Sequence, residues 1–144
     1  MPDPSTLDLG ALLDRATTIA IVGCSARPTR TSHKIARYLQ DQGYRIVPVN
    51  PAYDEVLGVP CYPRVQDIPA DVSIDIVDIF RRADHTADMV RDVIERGKAT
   101  DRKPVIWTQL GVSSAEAEAL ATEHALPYVK NRCIMVVHGQ HHSA

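Results

Sequence analysis

Hydroxyls and cations crowd into one short stretch, Gly23-Cys24-Ser25-Ala26-Arg27-Pro28-Thr29-Arg30-Thr31-Ser32-His33-Lys34. It follows the β-branched run Thr18-Ile19-Ala20-Ile21-Val22 and leads into a helical pattern. A strand that turns at a glycine into a helix offers exposed backbone N–H groups and the positive end of the helix dipole to an anion. Ser25, Thr31 and Ser32 add hydroxyl donors, and Arg27, Arg30 and Lys34 add charge. That chemistry fits a phosphorylated ligand. A plainer reading stays open: Ser32 only caps the helix, and the arginines are only solvated.

The loop is not a dinucleotide fingerprint. Gly23 stands alone where GxGxxG needs two further glycines, and the second strand closes in Asn50-Pro51. An acid there would hold the ribose hydroxyls of a nicotinamide cofactor. Both departures count against NAD.

Other residues with chemical potential stand at the ends of later apolar runs. Phe80-Arg81-Arg82 follows Ile74-Asp75-Ile76-Val77-Asp78-Ile79. Phe80 would lie against a base or an acyl arm, or would fill the core, and the arginines would meet phosphate. Gln109, before Leu110-Gly111, would bond a ligand amide or cap a helix. In Lys130-Asn131-Arg132-Cys133 a thiol beside two cations tends toward a lowered pKa, against the alternative of a buried, inert cysteine. His138, His141 and His142 have no Cys or acidic partner at metal-ligand spacing. No Ser-His-Asp constellation and no pair of strand-end carboxylates suggests catalysis.

The elements that must position these residues alternate. Strands are expected at 18–22, 45–49, 74–80, 104–108 and 126–129, with a very short extended segment at 58–63. Helices are expected at 32–42, with Gly43 at its C-terminus, and at 83–96, stopped by Gly97. A further helix opens at Ser113-Ser114-Ala115-Glu116, where Ser113 and Glu116 are spaced as a capping box. An amphipathic helix at 5–16 precedes them, and residues 140–144 read as a frayed tail. Pro48 inside the second strand belongs at an unpaired donor position or a bulge. Parallel strands need crossovers, usually helices. The pattern therefore predicts one α/β domain: a doubly wound, mostly parallel Rossmann-like sheet of about five strands with helices on both faces. The expected organisation is an N-terminal helix at 1–17 packed on a domain at 18–139, then the tail. Ligands of such sheets lie beyond the carboxyl ends of the strands, where strand order reverses. The residues above occupy those ends.

The chain has 144 residues, one domain's worth, with 44% hydrophobic and 24% charged residues, the balance of an ordinary folded domain. A formal charge of -2 gives no basic field for nucleic acid. No apolar run approaches a membrane span, and the N-terminus does not read as a secretory signal. Three widely separated cysteines without a CxxC pair fit reduced thiols in a cytoplasm.

Taken together, IAIVGCSARPTRTSHKIARYLQDQGYRIVPVNP, GVPCYP, DIVDIFRR, VIWTQLG and NRCIMVVHG follow one another over most of residues 18–139. In that order they resemble the small single-domain CoA-binding proteins of bacteria and archaea. Those proteins are similar to the CoA-binding domain of the succinyl-CoA synthetase alpha subunit. The resemblance implies coenzyme A as ligand, with its pyrophosphate at the first helix of the domain. By that analogy Gly23, Cys24, Ser25, Arg30, Ser32 and Lys34 form the phosphate loop. Asn50 and Pro51 sit beside the nucleotide, Phe80 and Arg81 line the next wall, and Gln109 and Arg132 face the site. No catalytic residue comes with the resemblance, and the synthetase's phosphohistidine segment is absent. Cys24 departs from the small residue, such as Ala, expected there. The expected function is non-catalytic binding of CoA or an acyl-CoA, with no nucleic-acid or membrane partner. The alternatives are a nicotinamide-dependent enzyme or redox sensor with a variant fingerprint, and a regulatory protein with a vestigial pocket.

Overall fold

A computed structural model describes residues 8–142, without the side chain of His142. Seven strands and five helices follow in the order α1 (Leu9–Arg15), β1 (Thr18–Val22), α2 (Thr31–Asp41), β2 (Arg45–Val49), β3 (Glu55–Val56), β4 (Val59–Pro60), β5 (Ile76–Ile79), α3 (Ala83–Thr100), β6 (Val105–Thr108), α4 (Ala115–Glu123), β7 (Tyr128–Val129) and α5 (Ile134–His142). A one-turn 3-10 helix, Val65–Asp67, interrupts the connection from β4 to β5.

Five strands pair in parallel in the order β2-β1-β5-β6-β7, and β3 and β4 form a separate hairpin. The expected doubly wound α/β sheet is present. β1, β5 and β6 are buried at every position, as strands covered on both faces must be. Period-2 alternation sends Ile19, Ile21, Ile76 and Trp107 into one cluster with α1, α2 and α5. Ala20, Val22, Val77 and Ile106 enter a second with α3 and α4. Pro48 lies on edge strand β2, which pairs with β1 and makes one further bridge, from Val49 to Tyr62.

Several boundaries differ from the sequence reading. α3 runs through Gly97 and ends at Asp101, which takes the left-handed conformation (φ 55°) and returns its N–H to the Gly97 carbonyl. The helix passes Gly97 because Arg96 is buried. Its guanidinium donates to the carbonyls of Ile68 (3.3 Å), Pro69 (2.8 Å) and Val72 (2.8 Å). That tether holds the β4–β5 connection against α3. The cap of α4 is Ser114, not Ser113, and its hydroxyl accepts from the Ala117 N–H. Glu116 closes no capping box, because its carboxylate pairs with Arg91. The short segment at 58–63 becomes half of a hairpin whose turn, Leu57-Gly58, has two positive φ values, 54° and 77°.

The largest difference is α5. Its β-branched residues and Gly139 conceal a helix, which runs to His142 where a frayed tail was expected from 140. Ile134 and His138, one turn apart, are buried. His138 Nδ1 bonds the Tyr38 hydroxyl at 2.8 Å, and His141 pairs with Asp14 of α1 at 3.0 Å. The histidines thus pack a helix, and among the described residues no group of metal-ligating side chains assembles. α1 begins after Asp8, which caps it; the expected first turn at 5–7 and the end of the tail at 143–144 lie outside the described residues. No described helix is long and apolar enough to cross a membrane.

The chain leaves β1 for β2 on one side and returns past β1 to β5 on the other, so strand order reverses between β1 and β5. There Gly23 (φ 84°) turns so close to β5 that a Cβ would lie 2.4 Å from the Phe80 carbonyl oxygen. Substitution by alanine adds left-handed strain to a backbone clash and is expected to cost about 2–4 kcal/mol. Urea denaturation of Gly23→Ala measures it. A loss below about 1 kcal/mol would mean the two strand ends part easily.

Asp78, in register between Ile21 and Trp107, is fully buried, and neither carboxyl oxygen has a hydrogen-bond partner. Burial raises its pKa well above the usual carboxylate range. A native pKa above the unfolded one means that the folded protein binds the extra proton. Stability is therefore complete below about pH 4 with respect to this group, and falls by about 1.4 kcal/mol per pH unit as pH rises toward the native pKa. Asp78→Asn should flatten that fall and be the more stable protein at pH 9. Parallel slopes for both proteins from pH 5 to 9 in urea titrations would clear Asp78 of the effect.

Candidate functional site

The loop from β1 to α2 is held from within. Ser32 Oγ accepts from the Ser25 N–H at 3.0 Å, and Ser25 Oγ accepts from the Arg27 N–H at 3.0 Å. His33, buried and not singled out in the sequence, places Nδ1 2.8 Å from the Ser25 carbonyl. A carbonyl only accepts, so this nitrogen carries the proton. Asn50 Nδ2 donates to the Cys24 carbonyl at 3.1 Å, and Asn50 Oδ1 accepts from the Ala52 N–H at 2.9 Å. Asn50 thereby ties the end of β2 to the loop.

These bonds leave the start of α2 open. Its N-cap is Arg30, which makes no side-chain cap, and Ser32 is turned to the loop instead. The N–H groups of the first turn have no carbonyl four residues earlier within the helix, and the dipole makes them an anion site. Arg27, Arg30 and Lys34 are exposed around it. Among the described residues none of them pairs with a carboxylate, and neither do Arg81 and Arg132. Of the other cations, Arg64 pairs with Asp67, Arg82 with Asp84, Lys98 with Glu95 and Lys130 with Glu118, while Arg15, Arg37, Arg45 and Arg102 make no ion pair among the described residues.

Beside the loop, on the α3 side of the sheet, a cleft of about 240 Å³ opens at the carboxyl ends of β1 and β2. Val22, Gly23, Val49 and Pro51 form one side, and Pro63, Arg64 and Val65 another. Arg81, Met89 and Asp92 complete it. The wall at 63–65 stands where Arg96 tethers its connection. The sequence reading missed these three residues, together with Met89 and Asp92. The available signal was an acid on α3 one turn from Met89, at the edge of its apolar stripe.

The structure therefore brings together Gly23, Ser25, Arg30, Ser32, Lys34, Asn50, Pro51 and Arg81. Four expected residues stand apart. Phe80 is half-buried against the opposite cluster, which holds Ile76, Trp107 and Cys24, and its carbonyl oxygen is the atom a Cβ at Gly23 would strike. Gln109 is buried, and its Oε1 accepts from the Ile134 N–H at 3.0 Å, which starts α5. Arg132 is exposed after β7, three strands or roughly 14 Å from β1 across the sheet. Cys24 is a core residue with no exposed surface. Burial, then Cys61 and Asp78 nearby, push its thiol pKa up to about 12, so it stays protonated and the loop stays inert. Cys133 is half-buried ahead of α5, and one of its two neighbouring cations, Lys130, is neutralised by Glu118 at 3.2 Å.

Relatives share this architecture. A protein from Pyrococcus horikoshii superimposes with a TM-score of 0.86 at 38% identity, over 97% of this chain and 96% of that one. The uncharacterised protein YneT of Bacillus subtilis is 39% identical over 96% of this chain and 97% of its own. An ADP-forming acetate–CoA ligase of Archaeoglobus fulgidus is 28% identical over 79% of this chain, which corresponds to 16% of the ligase. The likeness to the ligase therefore concerns one part of a much longer enzyme. Residues 17–139 match the model of the CoA binding domain, and the chain belongs to that family.

Proposed function

We propose that this protein binds coenzyme A or an acyl-CoA without transforming it, and does so in the cytoplasm. The pyrophosphate lies on the open N-terminus of α2, against the backbone of Gly23, Cys24 and Ser25 and the hydroxyl of Ser32. Arg30 and Lys34 neutralise it. The nucleotide lies in the cleft beside Asn50 and Pro51, with Arg81 on its far wall. Phe80 and Gln109 act from beneath, through the Phe80 carbonyl and the start of α5. Arg132 meets the extended arm of the ligand. The observation that carries this reading is the uncapped start of α2, ringed by cations without carboxylate partners. Arg27, Arg30 and Lys34 gather uncompensated positive charge around one open helix start, and that concentration points to an anion supplied by a ligand.

A nicotinamide dinucleotide fits less well. Its ribose needs an acceptor at the end of β2. Asn50 stands there with both side-chain functions already bonded to backbone.

CoA at about a hundred times its Kd should add about 2.7 kcal/mol and raise Tm by roughly 5–10 °C. NAD at the same concentration should do less. A strong shift with NAD or NADP and none with CoA would overturn the reading. For the loop, Arg30→Ala should weaken CoA by about 1.5–3 kcal/mol in calorimetric titration and leave the melting temperature of the free protein unchanged. Unaltered affinity would make Arg30 a solvated charge only.

A further inference from the structure

The cleft beside the loop has walls of one character and an end of another. Val22, Val49, Pro51, Pro63 and Met89 offer flat apolar surface. Asp92 of α3 brings the carboxylate to that lining, and a second acceptor stands behind it. Gln66 Nε2 donates to Asp92 Oδ1 at 2.8 Å, which fixes the carboxyl in place. Asp92 Oδ2 is left without a donor among the described residues. Gln66 Oε1 is buried and also lacks a partner. Partial burial raises the pKa of Asp92, against the opposing pull of the Gln66 bond and Arg64, so the group has been taken out of water without full compensation. An acceptor left open at the edge of an apolar cleft is matched when a ligand brings a donor to it.

Resting on the CoA reading above, we propose that Asp92 is the residue that selects adenine, accepting a hydrogen bond from its exocyclic amine through Oδ2. An adenine ring matches the slot. It is flat and apolar on both faces, it carries two N–H donors at one edge, and Arg64 and Arg81 border the slot with guanidinium planes able to stack on it. A 6-oxopurine presents an acceptor at the same position and would face Oδ2 with a second oxygen. Sites built around such a bond reject the analogue that lacks it far more strongly than apolar pockets reject a changed methylene.

The test compares CoA with its deaminated analogue, in which hypoxanthine replaces adenine and all else is kept. Calorimetric titration of the wild-type protein should favour CoA by about tenfold or more. Asp92→Asn is nearly isosteric and separates recognition from packing. The Gln66 Nε2 donor holds the Asn oxygen at the Oδ1 position, so an amide NH2 takes the place of Oδ2. CoA should then lose about tenfold in affinity and the deaminated analogue should gain, narrowing or reversing the preference. Asp92→Leu, with neither donor nor acceptor, should bring the two ligands to near equality. A purely structural Asp92 would weaken both ligands together. An equal fall for both, a wild type that binds them equally, or a preference unchanged in both variants overturns the inference while CoA binding stands. A wild-type protein that binds neither ligand overturns the CoA reading itself, and this inference with it.

Discussion

Between β1 and β5 the backbones pass so closely that no side chain fits. The Gly23 N–H donates to the Val49 carbonyl at 2.8 Å, and the Phe80 N–H donates to the Val22 carbonyl at 2.8 Å. One residue therefore links the ends of β1, β2 and β5. A Cβ at Gly23 would strike the Phe80 carbonyl, and its positive φ turns the chain off the sheet toward α2. The direction of α2, the position of its open N-terminus and the inner edge of the cleft all follow from that turn. On the CoA reading, a single glycine would suffice, because the helix end and nearby cations would meet the anion rather than a long glycine-rich loop.

The rest of the site is held by polar groups buried in unusual places. Arg96 gives its donors to three carbonyls of the β4–β5 connection, a stretch with little regular structure of its own. Those bonds hold residues 68–72 against α3, just beyond the 63–65 wall. Asp78 is the opposite case, a carboxyl with no partner in the middle of the sheet. It weakens the fold as pH rises, and the same burial, with smaller contributions from Cys61 and Asp78, suppresses ionisation of Cys24. The neighbourhood that makes Asp78 costly is what keeps the thiol beneath the β1–α2 loop unreactive.

The strands and the first loop were legible because their signals are local. Thr18–Val22 is buried on both faces, and Gly43 adopts φ 97° directly after the C-cap of α2. Signals misled where tertiary contacts outweigh them. Gly97 is a stop signal by propensity, but the turn that follows it is paid for by Arg96 and closed at Asp101. The 134–142 segment has β-branched residues and a glycine, yet it is a helix, because Ile134 and His138 find buried partners one turn apart. The open acceptors of the cleft were not legible. Gln66 and Asp92 are 26 residues apart, and nothing at either position marks a pair. Phe80 and Gln109 were read from residue type, strand-end position and the family resemblance, none of which says to which face a side chain turns.

What remains free at the site decides what the site can do. His33 has Nδ1 committed to the Ser25 carbonyl and is buried. The Cys24 thiol is held in its protonated form. Asp78 lies beneath the sheet surface with no access. The groups that face outward are backbone N–H donors and the guanidinium and ammonium groups of Arg30, Lys34 and Arg81, with Arg64 and the Asp92 carboxyl at the cleft beside them. On the CoA reading proposed above, the loop would hold the phosphates, and the choice among phosphorylated ligands would come from the cleft beside it.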